Sequence, residues 1–425
     1  MDRILRWLPV VVSLSFLAGH CSGAPALDDL PPVRVATGDW PWWRGPRQDN
    51  IAPSPQFPPT RWSATENIVW KTEVPGRGHS SPAIWGDRIF LSAADEGAEA
   101  QYVFGFDRRS GKKLWQTEIH RGGFMPKHSK NSFASPTPAC DGERVFMPSI
   151  VRDGIWLTSL DLDGKIIWQK RLGDFHSKHG YGASPLFYKS LVIVVADHVQ
   201  GSFVTAVHRC TGEVVWRTGR DDYKLGTYAS PAVGRVAGRD QLVIQGPFKV
   251  FSYDPSNGKL LWTCDGPSES ASSTVSLDGE RVYAAAGFPK RNFLCIRANG
   301  SGDVTKTHVV WRRDGNCAYV PSLLLADGLL YMAVDEGKLV CFEAGTGRVV
   351  WEEKVRGKFS SSPVLASGHI YLASEAGVMF VFKPGRQFAL VAENDLTDGG
   401  FATPVILGGR IYLRTLHHLY CIGKP

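Results

Sequence analysis

Two periodic features predict an all-β fold, an eight-bladed β-propeller. One is a Ser-Pro line, followed by a short turn and an apolar strand, that recurs eight times. The other is a tryptophan that recurs about every 45 residues. The Ser-Pro line reads SSPAIWGDRIFLSA, ASPTPACDGERVFMPS, ASPLFYKSLVIVVA and ASPAVGRVAGRDQLVIQG, then, more loosely, SSTVSLDGERVYAAAG and VPSLLLADGLLYMAV, and finally SSPVLASGHIYLASE and ATPVILGGRIYLRT. In most copies a hairpin follows: FDRRSGKKLW, LDLDGKIIW, VHRCTGEVVW, YDPSNGKLLW and FEAGTGRVVW. Its Gly supplies the positive φ of a tight turn, and the Asp, Ser or Asn ahead of it can bond back to the turn backbone. Alternating apolar residues on either side mark half-buried strands.

Trp70, Trp115, Trp168, Trp216, Trp262, Trp311 and Trp351 are separated by 45, 53, 48, 46, 49 and 40 residues. That interval suits one four-stranded blade. The chain has 45 Gly and 27 Pro, with 21 Phe, 14 Trp and 12 Tyr, which favours many short strands over long helices. The final copy, FATPVILGGRIYLRTLHHLYCIGKP, runs out after three strands, whereas NIVWKTEV (67–74) precedes every Ser-Pro copy. This N-terminal strand is therefore expected to complete the last blade, which closes the ring and removes two open edges.

Three segments are expected. Residues 1–26 read as an export signal: Arg3 and Arg6 precede the apolar run WLPVVVSLSFLA, and the small residues of CSGAPA follow. His20 ahead of Cys21 departs from a lipid-anchor motif, and no later segment is apolar enough to span a membrane. Residues 27–66 form a Pro/Trp-rich arm in which DWPWWRGPRQDN is expected to pack rather than bind, and residues 67–425 form the propeller. This places the mature chain in the periplasm or cell envelope.

The net charge of +7 comes from interspersed Lys and Arg with no basic block, which argues against nucleic acid as a partner. Of eight cysteines, the signal would remove Cys21. Cys295, Cys341 and Cys421 sit at matching places in the repeat, as small buried strand residues do, rather than in a disulfide framework. No CxxC pair is present, so no structural zinc is expected. LDLDGK (160–165) lacks the later ligands of a calcium loop and reads as a hairpin turn, and NGSGDV (299–304) reads as a blade insertion.

The D-x-x-[ST]-G-x-x-x-W line resembles the pyrroloquinoline-quinone (PQQ) repeat, shared by quinoprotein alcohol dehydrogenases and the outer-membrane assembly factor BamB. WPWWRGP, VPGRGHSSP, KNSFASPTPACDGERV, NGSGDVTKTHVVW and AENDLTDGGFATP are similar to exported BamB-like propeller proteins. The resemblance implies eight blades, with Trp115, Trp168, Trp216, Trp262, Trp311 and Trp351 docked between them. It divides on function. Quinoprotein dehydrogenases would hold PQQ and calcium over the axis, with a catalytic Asp and a disulfide of adjacent cysteines. No two cysteines are adjacent here; Cys295 and Cys317 are the closest pair. A non-catalytic scaffold for envelope proteins or a ligand is therefore the first reading, and a PQQ-dependent oxidoreductase is the alternative.

In a propeller the residues that lead into each innermost strand ring one mouth of the central channel. They are His79 for the first blade, His128, Lys130 and Asn131 for the second, and His176, Lys178 and His179 for the third. Lys224 and Tyr228, Glu269, Asn316, Lys358 and Asp398 follow. The first half of the mouth is rich in His and Lys. Three readings stay open: a solvated lining, a site for a small anionic ligand, and a metal site.

Overall fold

The computed structural model describes residue 27 and residues 30–220, 225–315 and 317–424. The proposed signal, Lys224 and Asn316 lie outside the described residues. Eight antiparallel sheets follow one another around a ring. Blade 1 comprises Ala83–Trp85, Arg88–Asp95, Ala100–Asp107 and Lys113–Arg121. Blades 2, 3 and 4 begin at Ala139–Cys140, Leu186–Tyr188 and Ala232–Val236, and blades 5, 6 and 7 at Ser276–Leu277, Leu324–Ala326 and Val364–Ala366. Blade 8 holds Val405–Leu407, Arg410–Arg414 and His418–Ile422, and its outer strand is Ile68–Glu73 from the beginning of the chain. The expected closure is thus observed, with Trp70 paired to Cys421 and Thr72 to Leu419.

The Ser-Pro line proves to be a belt around the axis. Two residues before each inner strand stands a Ser or Thr, and in seven of the eight blades its hydroxyl accepts the backbone N–H of its counterpart in the preceding blade. The links are Ser81 N to Thr137 Oγ1 (3.0 Å), Thr137 N to Ser184 Oγ (2.9 Å) and Ser184 N to Ser230 Oγ (2.8 Å). They continue as Thr274 N to Ser322 Oγ, Ser322 N to Ser362 Oγ and Ser362 N to Thr403 Oγ1, each 2.9 Å, and close with Thr403 N to Ser81 Oγ at 3.1 Å. The inner strand is too short to satisfy its own buried amides, so a side-chain acceptor next door is required. In blade 2 the belt residue is Thr137, two positions beyond the Ser-Pro at 135–136. Ser135 instead bonds the Asn131 side chain at 2.6 Å.

The tryptophans dock between blades as expected. The indole N–H of Trp115 donates to Leu162 O, that of Trp168 to Cys210 O, and that of Trp216 to Pro255 O. Trp70, Trp311 and Trp351 do likewise with Arg108, Ala344 and Gly385. The ring covers the turn Gly of the next blade: a Cβ on Gly164 would lie 2.5 Å from Trp115, where φ is already +87°. That Gly is therefore required twice, by backbone conformation and by the stacked ring. Trp262 packs between blades 4 and 5, but its N–H bonds Gln241 Oε1 (2.8 Å) within its own blade. NGSGDV is an insertion whose Gly302–Asp303 adds to blade 4 as a fifth, parallel strand.

In the segment ahead of the first strand, Trp40 is buried against blades 1, 7 and 8, and Trp42 against blades 2 and 3. Cys140, Cys264, Cys295, Cys317, Cys341 and Cys421 are free and buried.

Candidate functional site: a funnel on the propeller axis

Antiparallel pairing sends two sets of loops to one face: those leading into each inner strand, and the hairpins between each second and third strand. Between them lies a cavity of about 800 Å³ that contains His79, His128, Lys130, Asn131, His176, Lys178 and His179 in its wall. Tyr228 and Glu269 join them, whereas Lys358 and Asp398 are not part of the wall. Asp398 is occupied elsewhere, accepting from Thr415, His418 and Tyr420. Most of the belt hydroxyls line the lower part. The arm reaches there too: Trp43 lines the cavity and donates to Thr274 Oγ1 at 3.0 Å. Next to it, buried Arg44 donates to Val275 O, Ser276 Oγ and Leu323 O, and burial lowers its pKa to about 10.

The sequence candidates play different parts. Lys130 reaches across to blade 7 and pairs with Glu375 at 3.0 and 3.1 Å. Glu375 also accepts from Ser360. The Lys130 N–H donates to His128 Nδ1 (3.1 Å), which leaves the ring proton of neutral His128 on Nε2. Asn131 is committed to the loop: its amide donates to His179 O, and its oxygen accepts from Ser132 N and Ser135 Oγ. In the second HSK stretch Ser177 closes a turn by accepting from the amides of His179 and Gly180. Both stretches are thus turns as well as wall. Lys178 is exposed, with no ion-pair or hydrogen-bond partner among the described residues.

His79 is half-buried with its ring 4.4 Å from that of Phe401, and its enclosed Nε2 has no hydrogen-bond partner among the described residues. Burial, assisted by Arg77, Arg414 and Lys127, lowers its pKa to about 3, so it is neutral at ordinary pH.

Sequence reasoning missed the wall contributed by the second-to-third-strand hairpins. Phe288 and Arg291 come from blade 5, and Asp335 and Glu336 from blade 6. Arg291 is paired to Glu336. Asp335 accepts from the amides of Tyr319 (2.7 Å) and Val320 (3.2 Å), while burial holds its carboxyl above the usual range. The short turns GFPKRN and VDEGK, each directly after an inner strand pair, were the available signal. Among the described residues no group of three or more His, Cys, Asp or Glu side chains is gathered to hold a metal ion.

Fold and funnel together define a propeller with its cavity at one end of the axis. The family model described as outer membrane protein assembly factor BamB matches residues 99–333 and 302–386, more than half of the chain, and the protein belongs to that family. A 1-butanol dehydrogenase (quinone) from Thauera butanivorans is 25% identical over 236 residues, which is 50% of this chain and 34% of that relative. The chain thus spans about a third of that relative's length. Among solved structures, BamB from Moraxella catarrhalis has a TM-score of 0.59 at 16% identity, covering 84% of this chain and 97% of that one. A europium-containing methanol dehydrogenase scores 0.66 at 12% identity, with coverages of 90% and 91%. The quinohemoprotein alcohol dehydrogenase ADHIIG of Pseudomonas putida HK5 scores 0.66 at 12%, with coverages of 93% and 79%. At these identities the structures show a shared fold.

Proposed function

We propose that this is an exported, non-catalytic propeller acting in the cell envelope as a binding scaffold, with its funnel open to a small anionic ligand or an envelope protein. The observation that carries the reading is the inventory of the funnel. Two of its cations, Lys130 and Arg291, already hold ion pairs that brace the wall, and its acidic groups do not converge as metal ligands. Membership of a family described as an assembly factor supports a binding role. Among the described residues no helix is long and apolar enough to cross a membrane. The division into a signal (1–26), an arm (27–66) and a propeller (67–425) goes with this proposal.

A second reading, a PQQ-dependent oxidoreductase, is favoured by the match to a quinone-linked butanol dehydrogenase. The test is to titrate the purified protein with PQQ, with and without calcium, following Trp fluorescence, and to assay alcohols with an artificial electron acceptor. The scaffold reading expects no dye reduction. Saturable micromolar binding with dye reduction overturns it in favour of the dehydrogenase.

A further inference from the structure

Resting on the reading of the funnel as a binding site, we propose that its ligand is a zwitterion of peptide type, a short free peptide. Its carboxylate would lie toward Lys178 and His179 of blade 3, and its ammonium toward Glu269 and the aromatic wall of blades 5 and 6.

The argument begins with the charges left after internal pairing. Lys130 is neutralised by Glu375 and Arg291 by Glu336. On the wall of blades 2 and 3 this leaves Lys178, with the exposed rings of His128 and His179 beside it, 6.0 Å apart. All of these can donate hydrogen bonds to a carboxylate. Across the funnel the character reverses. Glu269 is half-buried and has no hydrogen-bond or ion-pair partner among the described residues, and Asp335 is held beside Tyr319 by two backbone amides.

Aromatic rings flank these carboxylates. Phe288, 56% exposed, lies 6.4 Å from the Tyr319 ring, and Tyr319 Oη is 3.2 Å from Ser270 Oγ. Carboxylates next to exposed ring faces suit an ammonium group, through charge and the ring quadrupole. A dicarboxylate would bring its second charge against Glu269, and a simple amine would leave Lys178 unanswered. A ligand carrying one charge of each sign satisfies both walls. A cavity of about 800 Å³ is of the size that encloses a drug-sized molecule, and the belt hydroxyls at its floor can serve peptide amides.

The test is calorimetric titration of the full protein at low salt with the tripeptide Ala-Phe-Ala in four forms: free, N-acetylated, C-amidated and doubly blocked. Succinate is the fifth probe. The expected result is saturable binding of the free peptide, weakened about tenfold by either block, the scale of one charge-assisted hydrogen bond. Glu269→Gln should abolish the difference between free and acetylated peptide, and Lys178→Ala the difference between free and amidated peptide. Both positions are solvent-accessible, so the variants should fold. If the acetylated peptide or succinate binds as well as the free peptide, the zwitterion is overturned and the funnel stands as an anion site. If none of the five probes binds, the small-ligand reading of the funnel fails with it.

Discussion

The junction between blades 4 and 5 differs from the six junctions sealed by a direct indole bond, and the contrast separates what the repeat demands from how it is met. At the regular junctions the outer-strand Trp donates directly to a turn carbonyl of the next blade, as Trp115 does to Leu162 at 2.9 Å. At the fourth junction the turn is lengthened by the inserted strand, and Gln241 acts as a relay. Its oxygen accepts the Trp262 indole N–H and the Ser252 hydroxyl, and its amide donates to Ala298 O of blade 5 at 2.9 Å. The hydroxyl belt changes at the same place. No bond from Ser230 N to Thr274 is formed among the described residues, and Trp43 of the arm takes the Thr274 hydroxyl instead. A buried N–H must find a partner, but the partner need not come from the repeat.

This contrast can be broken at graded cost. The largest effect is expected for Arg44→Ala, which empties a buried site and removes the guanidinium donor to Val275 O, Ser276 Oγ and Leu323 O, of which Leu323 O keeps the Ser276 hydroxyl. A loss of about 3 kcal/mol in urea unfolding is expected, against under about 0.5 kcal/mol for exposed Arg47→Ala. A near-neutral Arg44→Ala would mean that the arm is not part of the closed structure. Gln241→Leu takes the acceptor from the Trp262 N–H and the Ser252 hydroxyl, while Ala298 O keeps the Arg239 guanidinium, at about 2 kcal/mol. An effect much below 1 kcal/mol would show that the relay is dispensable.

Acid sensitivity comes next. His79 has a folded pKa of about 3 against an ordinary 6.5, so between these values the unfolded chain binds the proton more readily. Stability is therefore complete above pH 6.5 and is lost as pH falls toward 3. His79→Phe should flatten that limb by on the order of 1–2 kcal/mol, because local opening relieves part of the shift. His120, lowered to about 4 by burial and then Arg152, contributes with the same sign and remains in the variant. Unchanged acid curves would place His79 in contact with water.

Smaller effects test the belt and the rim. Thr137→Val removes the acceptor of Ser81 N and should cost about 1 kcal/mol, and Thr274→Val, which loses the Trp43 bond, a similar amount. Unequal costs would mean that Trp43 is not equivalent to a belt link. Lys130→Ala should change stability by less than about 1 kcal/mol, because the half-exposed pair is screened, and the difference should shrink further in salt.

The same division governs how much could be read in advance. The blades, their closure and the hairpins were legible because each rests on a local pattern: alternating apolar residues, a Gly at positive φ, a Trp at a constant interval. The HSK stretches were legible as funnel wall because they precede an inner strand. Phe288, Asp335 and Glu375 were missed because the loops bearing them are short; only the antiparallel up-and-down course of the strands brings Phe288 and Asp335 into the funnel wall and Glu375 within reach of Lys130.

By itself, then, the sequence determined the propeller, the repeated Ser-Pro line that opens its inner strands and the end of the axis at which His and Lys collect. Only the tertiary structure decided that Lys130 is spent on Glu375, 245 residues away, and that Trp43 reaches Thr274, 231 residues away. It also decided that Lys178 and Glu269 line one cavity with no ion-pair partner among the described residues. The physical reason is ring closure. Backbone preferences and hydrophobic period act over a few residues, whereas the partner of a charge at the axis is chosen by which loops the closed ring brings within hydrogen-bond reach.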